Sequence, residues 1–129
     1  VILVAAAIIE DKQGKILIAR RKEGKSQGRM WEFPGGKIEA NETAEECLRR
    51  ELREEMNIEI DPYEFFGEND HFYGELHIKL IAYKAQFLGG EIKLVDHDDY
   101  KWVSHGQLFE YEFAPADVKF VEMLGLSVR

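Results

Sequence analysis

The sequence predicts an α+β fold in which a mixed β-sheet is sandwiched between helices, an α/β/α arrangement. Three observations carry that prediction. Strand patterns precede, separate and follow two helical patterns. The first strand is apolar throughout, as a strand covered on both faces should be. The first helix carries both a start signal and a single apolar stripe. With 129 residues the chain reads as one domain, residues 1–129, a size that buries roughly two-thirds of its unfolded surface.

Val1–Ile9 is the apolar, β-branched first strand. Asp11-Lys12-Gln13-Gly14 has turn chemistry, and Lys15–Arg20 supplies a second strand, so the pair reads as a hairpin. Arg21–Arg29 is polar with two glycines and predicts a surface loop. Thr43-Ala44-Glu45-Glu46 fits a capping box, with Thr43 as N-cap and Glu46 three residues on. The helix then runs from Ala44 to Met56 with Ala44, Cys47, Leu48, Leu52 and Met56 as its stripe. Asn57 falls where a left-handed residue ends a helix. Ile58-Glu59-Ile60 is extended, and Pro62 blocks further helix. Tyr63–Phe66 and Leu76–Phe87 read as strands. In the second, the apolar phase passes from Leu76, Ile78 and Leu80 to Ile81, Tyr83, Ala85 and Phe87, which predicts a bulge or burial on both faces. Gly89-Gly90 turns the chain, and Tyr100–Val103 is a short strand after the acidic loop Asp96-His97-Asp98-Asp99. A last helix starts near Pro115 and buries Val118, Val121 and Leu124.

Lys and Arg number 17 against 25 Asp and Glu, a formal net charge of −8. That balance argues against a nucleic-acid polymer as partner, while a small nucleotide stays compatible if metal ions screen its phosphates. Cys47 is the only cysteine, so no internal disulfide forms and a reducing, cytoplasmic setting is expected. On the apolar stripe it predicts a packed small hydrophobe. No apolar run reaches transmembrane length, and Val1–Ile9 has no basic leader or cleavage pattern, so neither a membrane nor a signal peptide is expected. The missing initiator Met suggests that a few residues precede Val1. His71, His77, His97 and His105 form no helical pair and have no cysteine partner, which disfavours zinc. Trp31 and Trp102 are expected in the core or as pocket walls. A homodimer is compatible with the pattern, which identifies no interface.

The chemistry concentrates between Gly35 and Ile58. Glu51, Glu54 and Glu55 stand at i, i+3 and i+4, on one helical face. Like charges so placed repel, and hard carboxylate oxygens are what Mg²⁺ or Mn²⁺ prefers. A solvated face laced to Arg49, Arg50 and Arg53 is the plain alternative. It leaves unexplained the double glycine ahead of the helix, whose turn can approach a phosphate, and the separate acidic loop.

Gly36, Glu42, Arg50, Glu51, Leu52, Glu54, Glu55 and Ile58 together resemble the motif of the Nudix family, with one departure: Asn57 replaces the final Gly. Both residues tolerate the left-handed conformation, so the helix end is expected to survive. The flanks Trp31-Glu32-Phe33-Pro34-Gly35-Gly36-Lys37 and Phe113-Ala114-Pro115-Ala116-Asp117 resemble the MutT branch and its CTP-pyrophosphohydrolase relatives. The resemblance implies a Mg²⁺-dependent enzyme (Mn²⁺ as substitute) that converts a nucleoside triphosphate and water to the monophosphate and pyrophosphate. It implies that Glu51, Glu54 and Glu55 bind the metal with the Gly35 carbonyl. Gly36, Glu42, Arg50 and Asn57 then hold the loop–helix geometry. Glu51, Glu54 and Asp96 are the candidate catalytic carboxylates, with Glu51 or Asp96 taking the water's proton. Related enzymes carry Glu where Asp96 stands, six positions before Trp102.

By the same resemblance Arg21 contacts phosphate, Lys37 neutralises phosphate charge and Phe33 lines the base pocket. Asp117 matches an Asn of MutT and an Asp of the CTP-directed relatives. An ionised Asp only accepts hydrogen bonds and suits the amino group of cytosine or adenine. The expected substrate is CTP, dCTP or a modified pyrimidine triphosphate. Rivals are oxidised purine triphosphates such as 8-oxo-dGTP, and ADP-ribose or dinucleoside polyphosphates. A rival of another class is a non-catalytic nucleotide sensor, against which the three retained carboxylates count.

Overall fold

The computed structural model describes residues 1–126. Its strands are β1 (Ile2–Glu10), β2 (Ile16–Arg21), β3 (Trp31–Glu32), β4 (Gly35–Lys37), β5 (Glu59–Tyr73), β6 (Leu76–Gly89) and β7 (His97–Val103). The helices are α1 (Ala44–Met56) and α2 (Val118–Leu126), with 3-10 turns over His105–Glu110 and Pro115–Asp117. The strands join one sheet in the order β3-β2-β1-β6-β5, with β4 added to β1 and β7 to β2. The sheet is mixed: β1 runs parallel to β6, Ile2 opposite Ile78 and Glu10 opposite Gln86. The hairpin β1–β2 and the pairs β1–β4, β2–β7 and β5–β6 are antiparallel.

Alternation along the central strands builds a core on each face. Ala6, Ile8, Ile16, Ile18, Leu80 and Ala82 point to the side covered by α2, where Phe120, Val121 and Leu124 pack. Ala5, Ala7, Ile9, Leu17, Ala19 and Ala85 point to α1 and meet Cys47, Leu48, Leu52 and Met56. The phase change in β6 is therefore burial on both faces. Two bulges lie in its partner, with Tyr63 and Phe66 as the extra residues, and a third shift leaves Leu88 of β6 as the extra residue opposite Glu59 and Ile60.

The first helix occupies the predicted residues. Thr43 Oγ1 accepts from Glu46 N at 3.1 Å, and Glu46 Oε1 accepts from Thr43 N at 2.9 Å. Asn57 ends the helix in the left-handed region at φ 61°, and its Nδ2 donates to Glu91 O at 2.9 Å. Cys47 is buried, and burial pushes its thiol up to about 12, which makes it inert packing.

Three expectations need correction. Tyr63–Phe66 is not a separate strand: β5 runs unbroken over 15 residues through Pro62. An edge strand with a bulge tolerates the missing N–H. The short strands β3 and β4 have no periodicity to predict them. The last α-helix starts at Val118 after a 3-10 turn, leaving Val118 40% exposed and burying Phe120 instead. Three residues per turn before the helix, rather than 3.6, rotate its face. Among the described residues no helix is long and apolar enough to cross a membrane.

Candidate active site

The double glycine is required by close approach on two sides. A Cβ on Gly35 would overlap the carbonyl oxygen of Ala5 in β1. A Cβ on Gly36 would fall on the Glu51 carboxylate, with Oε1 at 2.6 Å. β4 is thus pressed between the central strand and α1, so the double glycine is extended strand rather than the expected turn, and its distance to the helix carboxylates is fixed.

Arg50 ties the loop before α1 to the helix. Its Nε and Nη2 donate to the two oxygens of Glu42 at 2.7 and 3.0 Å. Its Nη1 donates to Glu51 and Glu54, both at 3.1 Å, and Nη2 reaches the Lys37 carbonyl at 3.3 Å. Glu42 in turn accepts from Glu39 N at 3.0 Å. The bidentate Arg50 pair, with that backbone bond, holds the Glu42 carboxyl down at about 2. One arginine therefore locks a loop carboxylate and aims two helix carboxylates.

Beyond Arg50 lies a polar cavity of about 120 Å³ lined by Glu51, Glu55, Asp96, His97, Glu32, Gly35, Arg21 and Lys25. Burial raises the Glu51 carboxyl, against the pull of Arg50. Glu55 goes further: burial and then the neighbouring Asp96 push it up to about 7. Its Oε2 is buried without a hydrogen-bond partner. Asp96 is held low, first by its contact with Glu55 and also by Lys25, whose Nζ stands at 3.5 Å. Glu51, Glu55 and Asp96 thus face one cavity, in which a positive charge would relieve the raised carboxyls of Glu51 and Glu55. Glu54 is the helix carboxylate outside this cavity; its side chain is 57% exposed and paired with Arg50.

A larger, mostly apolar cavity of about 270 Å³ adjoins it and shares Arg21, Glu32 and Gly35. Phe33, Ile78, Leu80 and Ala116 supply its walls, and Lys37 and Tyr73 also line it. Asp117 lines it from the 3-10 turn ahead of α2 and is only 5% exposed. Its Oδ1 accepts from Phe33 N at 3.2 Å. Desolvation pushes this carboxyl well above the usual range, reinforced by the charge of Glu32. Burial thus works against the ionised acceptor expected from the sequence and favours the neutral acid, which donates as well as accepts.

The structure thus gathers Gly35, Glu51, Glu55 and Asp96 around one cavity and Phe33, Lys37, Asp117 and Gly36 around the next, with Arg21 at their junction. Sequence reasoning missed Glu32, His97 and Tyr73. Glu32 could have been singled out as the charged residue between two aromatics in Trp31-Glu32-Phe33. His97 is 6% exposed and bonded to Glu32 at 2.7 Å, a pairing that only the fold creates.

The NUDIX domain model matches residues 2–124. Over 119 residues, 92% of this chain and 87% of the relative, the sequence is 37% identical to the CTP pyrophosphohydrolase of Escherichia coli. Over 131 residues, 99% of this chain and 90% of the relative, it is 34% identical to a putative 8-oxo-dGTP diphosphatase 2 of Mycobacterium tuberculosis. A solved MutT protein from Methanosarcina mazei shares the fold with a TM-score of 0.86 at 28% identity, covering 98% of this chain and 94% of that one. A likeness that runs from β1 into α2 and includes the double glycine and its helix identifies the chain as a member of the Nudix family, and as a Nudix hydrolase.

Proposed function

We propose that this Nudix hydrolase is a nucleoside triphosphate pyrophosphohydrolase that substitutes water at phosphorus and releases the monophosphate and pyrophosphate. Its preferred substrates are CTP, dCTP or modified pyrimidine triphosphates, and its cofactor is Mg²⁺, with Mn²⁺ as substitute. The observation that carries this reading is the pair of adjoining cavities. One is apolar with a single buried acid, the other is lined by carboxylates, and Arg21 stands where they meet.

The donor set fits a hard divalent cation. It is all oxygen, and the buried, unpartnered Oε2 of Glu55 is a ligand atom in need of a positive partner. Glu51, Glu55 and the Gly35 carbonyl would hold the ion, joined by Glu54. Among the described residues no ready-made ligand cluster exists, so Glu54 would exchange its Arg50 contact for the metal. A bound ion makes phosphorus more electrophilic and water a better nucleophile near neutral pH. The chain's own residues do the rest. Arg50 keeps the glutamates aimed, and Arg21 and Lys37 neutralise phosphate charge. Glu51 or Asp96 takes the water's proton.

In the apolar cavity Phe33 offers a ring and Asp117 a hydrogen-bonding edge. Cytosine presents an acceptor, N3, beside a donor, its amino group. A neutral carboxyl matches that pair with one donor and one acceptor, whereas the adjacent donors of a guanine edge suit the ionised form. 8-oxoguanine, protonated at N7, presents a similar pair, N7–H beside O6, so the cytosine reading rests on the likeness to the CTP pyrophosphohydrolase. Oxidised guanine is kept as a second reading because the Mycobacterium tuberculosis relative is named for 8-oxo-dGTP.

Pyrophosphate release with Mg²⁺ across canonical and oxidised triphosphates, compared by kcat/KM, tests both. CTP or dCTP should lead; a wide margin for 8-oxo-dGTP would overturn the base assignment. Near-background rates for wild type and Glu54→Gln alike would overturn the enzymatic reading in favour of a nucleotide sensor. Comparing Glu51→Gln with Asp96→Asn identifies the residue that takes the proton.

A further inference from the structure

Glu32 has no part in the chemistry described so far, yet it is the carboxylate common to both cavities. It lies in the two-residue strand β3, next to Phe33, and its side chain is 17% exposed. Both of its oxygens are occupied. Oε1 accepts from Arg21 Nη1 at 3.0 Å, and Oε2 accepts from His97 Nε2 at 2.7 Å. Arg21 is held at a second point, its Nε donating to the Ser26 carbonyl at 2.6 Å.

A guanidinium has five N–H donors in a fixed plane. Two of those on Arg21 are committed to Glu32 and Ser26, leaving three at the junction of the cavities. A long, flexible side chain is thereby fixed before any ligand arrives. At the other end of the clamp His97 is buried in β7, and an ionised Glu32 can only accept from its Nε2. Glu32 thus spans from β2 to β7 through β3.

We propose that Glu32 is the positioning residue of the phosphate site. Its carboxylate, braced by His97, sets the plane in which Arg21 presents its free donors to the triphosphate, and it does not touch substrate itself. The inference rests on the triphosphate reading above, with Arg21 as phosphate contact.

A double-mutant cycle tests it. Glu32→Ala, Arg21→Ala and the double variant are compared in Mg²⁺-loaded protein by kcat/KM for several triphosphates. The same proteins are titrated calorimetrically with a non-hydrolysable triphosphate analogue. A misplaced phosphate contact costs on the order of 10- to 100-fold. Glu32→Ala should lose about that much for every base alike, with base preference unchanged. The double variant should be no worse than Arg21→Ala alone. Losses that multiply in the double variant, or a Glu32→Ala loss that depends on the base, would overturn the proposal. If Glu32→Ala does not fold, Glu32→Gln decides, since it keeps the shape and an acceptor for Arg21. Its smaller loss must likewise vanish in the Arg21→Ala background, and a loss that persists there counts against a positioning role. Inactive wild type would overturn the enzymatic reading alone, because the binding cycle is read without turnover.

Discussion

Replacing Asp117 with asparagine should change how stability depends on pH while barely changing the shape of the apolar cavity. Burial, with the charge of Glu32 behind it, raises the Asp117 carboxyl well above the ordinary range; the Phe33 N–H and Arg21 oppose the shift without cancelling it. Above the unfolded value, near 3.9, the unfolded chain has released a proton that the folded chain still holds. The folded state then binds more protons, so stability falls as pH rises between the two values. One full proton of difference gives a slope of about 1.4 kcal/mol per pH unit. As pH rises above the unfolded value the wild type should lose up to about 1.4 kcal/mol per pH unit that Asp117→Asn retains. Asparagine keeps the Oδ1 acceptor for Phe33 N, and any cost of its unpaired amide hydrogens is independent of pH and drops out of the slope. Glu51 and Glu55 are raised too, but they are present in both proteins and also drop out. Urea unfolding at closely spaced pH values, followed by the fluorescence of Trp31 and Trp102, measures the difference directly. Parallel stability curves would refute the claim that burial raises the Asp117 carboxyl.

Glu55→Gln should reduce Mg²⁺-dependent pyrophosphate release by 100-fold or so if its carboxylate holds the metal. It should leave the protein at least as stable at pH 8, since a raised carboxyl weakens the fold there; activity close to wild type by phosphate assay would remove Glu55 from the site. Gly36→Ala places a methyl on the Glu51 carboxylate, so kcat should collapse while chemical denaturation shows a loss of only about 1–3 kcal/mol. Asn57→Ala puts a strained left-handed alanine at the helix end and removes the bond to Glu91 O. It should cost about 2 kcal/mol, whereas Asn57→Gly should cost clearly less in the same unfolding measurement.

What the sequence disclosed divides by distance along the chain. The limits of α1 followed from Thr43, Glu46 and Asn57 because capping is decided within a few residues. The strand β5 reads as fragments in sequence because Pro62 weighs locally against a strand, and only its place at the sheet edge makes it harmless. The apolar pattern predicts Val118 in the core because a 3-10 turn before α2 leaves no periodic mark. The site follows the same rule. The motif carboxylates and Arg50 are neighbours in sequence, and their grouping could be foreseen. Glu32 and His97 are joined only when β3 and β7 flank β2. Asp117 stands out in the sequence, but the burial that raises its carboxyl is encoded by no single position.

The parallel pairing of β1 with β6 has a consequence for how the protein comes into being. During synthesis β1 emerges first and has no complete ladder until β6 follows, so Ile8 and Ile9, both fully buried in the finished fold, wait in the open. Closing such a distant pair is slow, and apolar strands that wait are open to aggregation. β1 also supplies Val4, Ala5 and Ala6 to the apolar cavity. The segment that floors the apolar cavity is therefore exposed to misassembly, and conditions that delay β6 should yield insoluble chain before they yield folded, inactive enzyme.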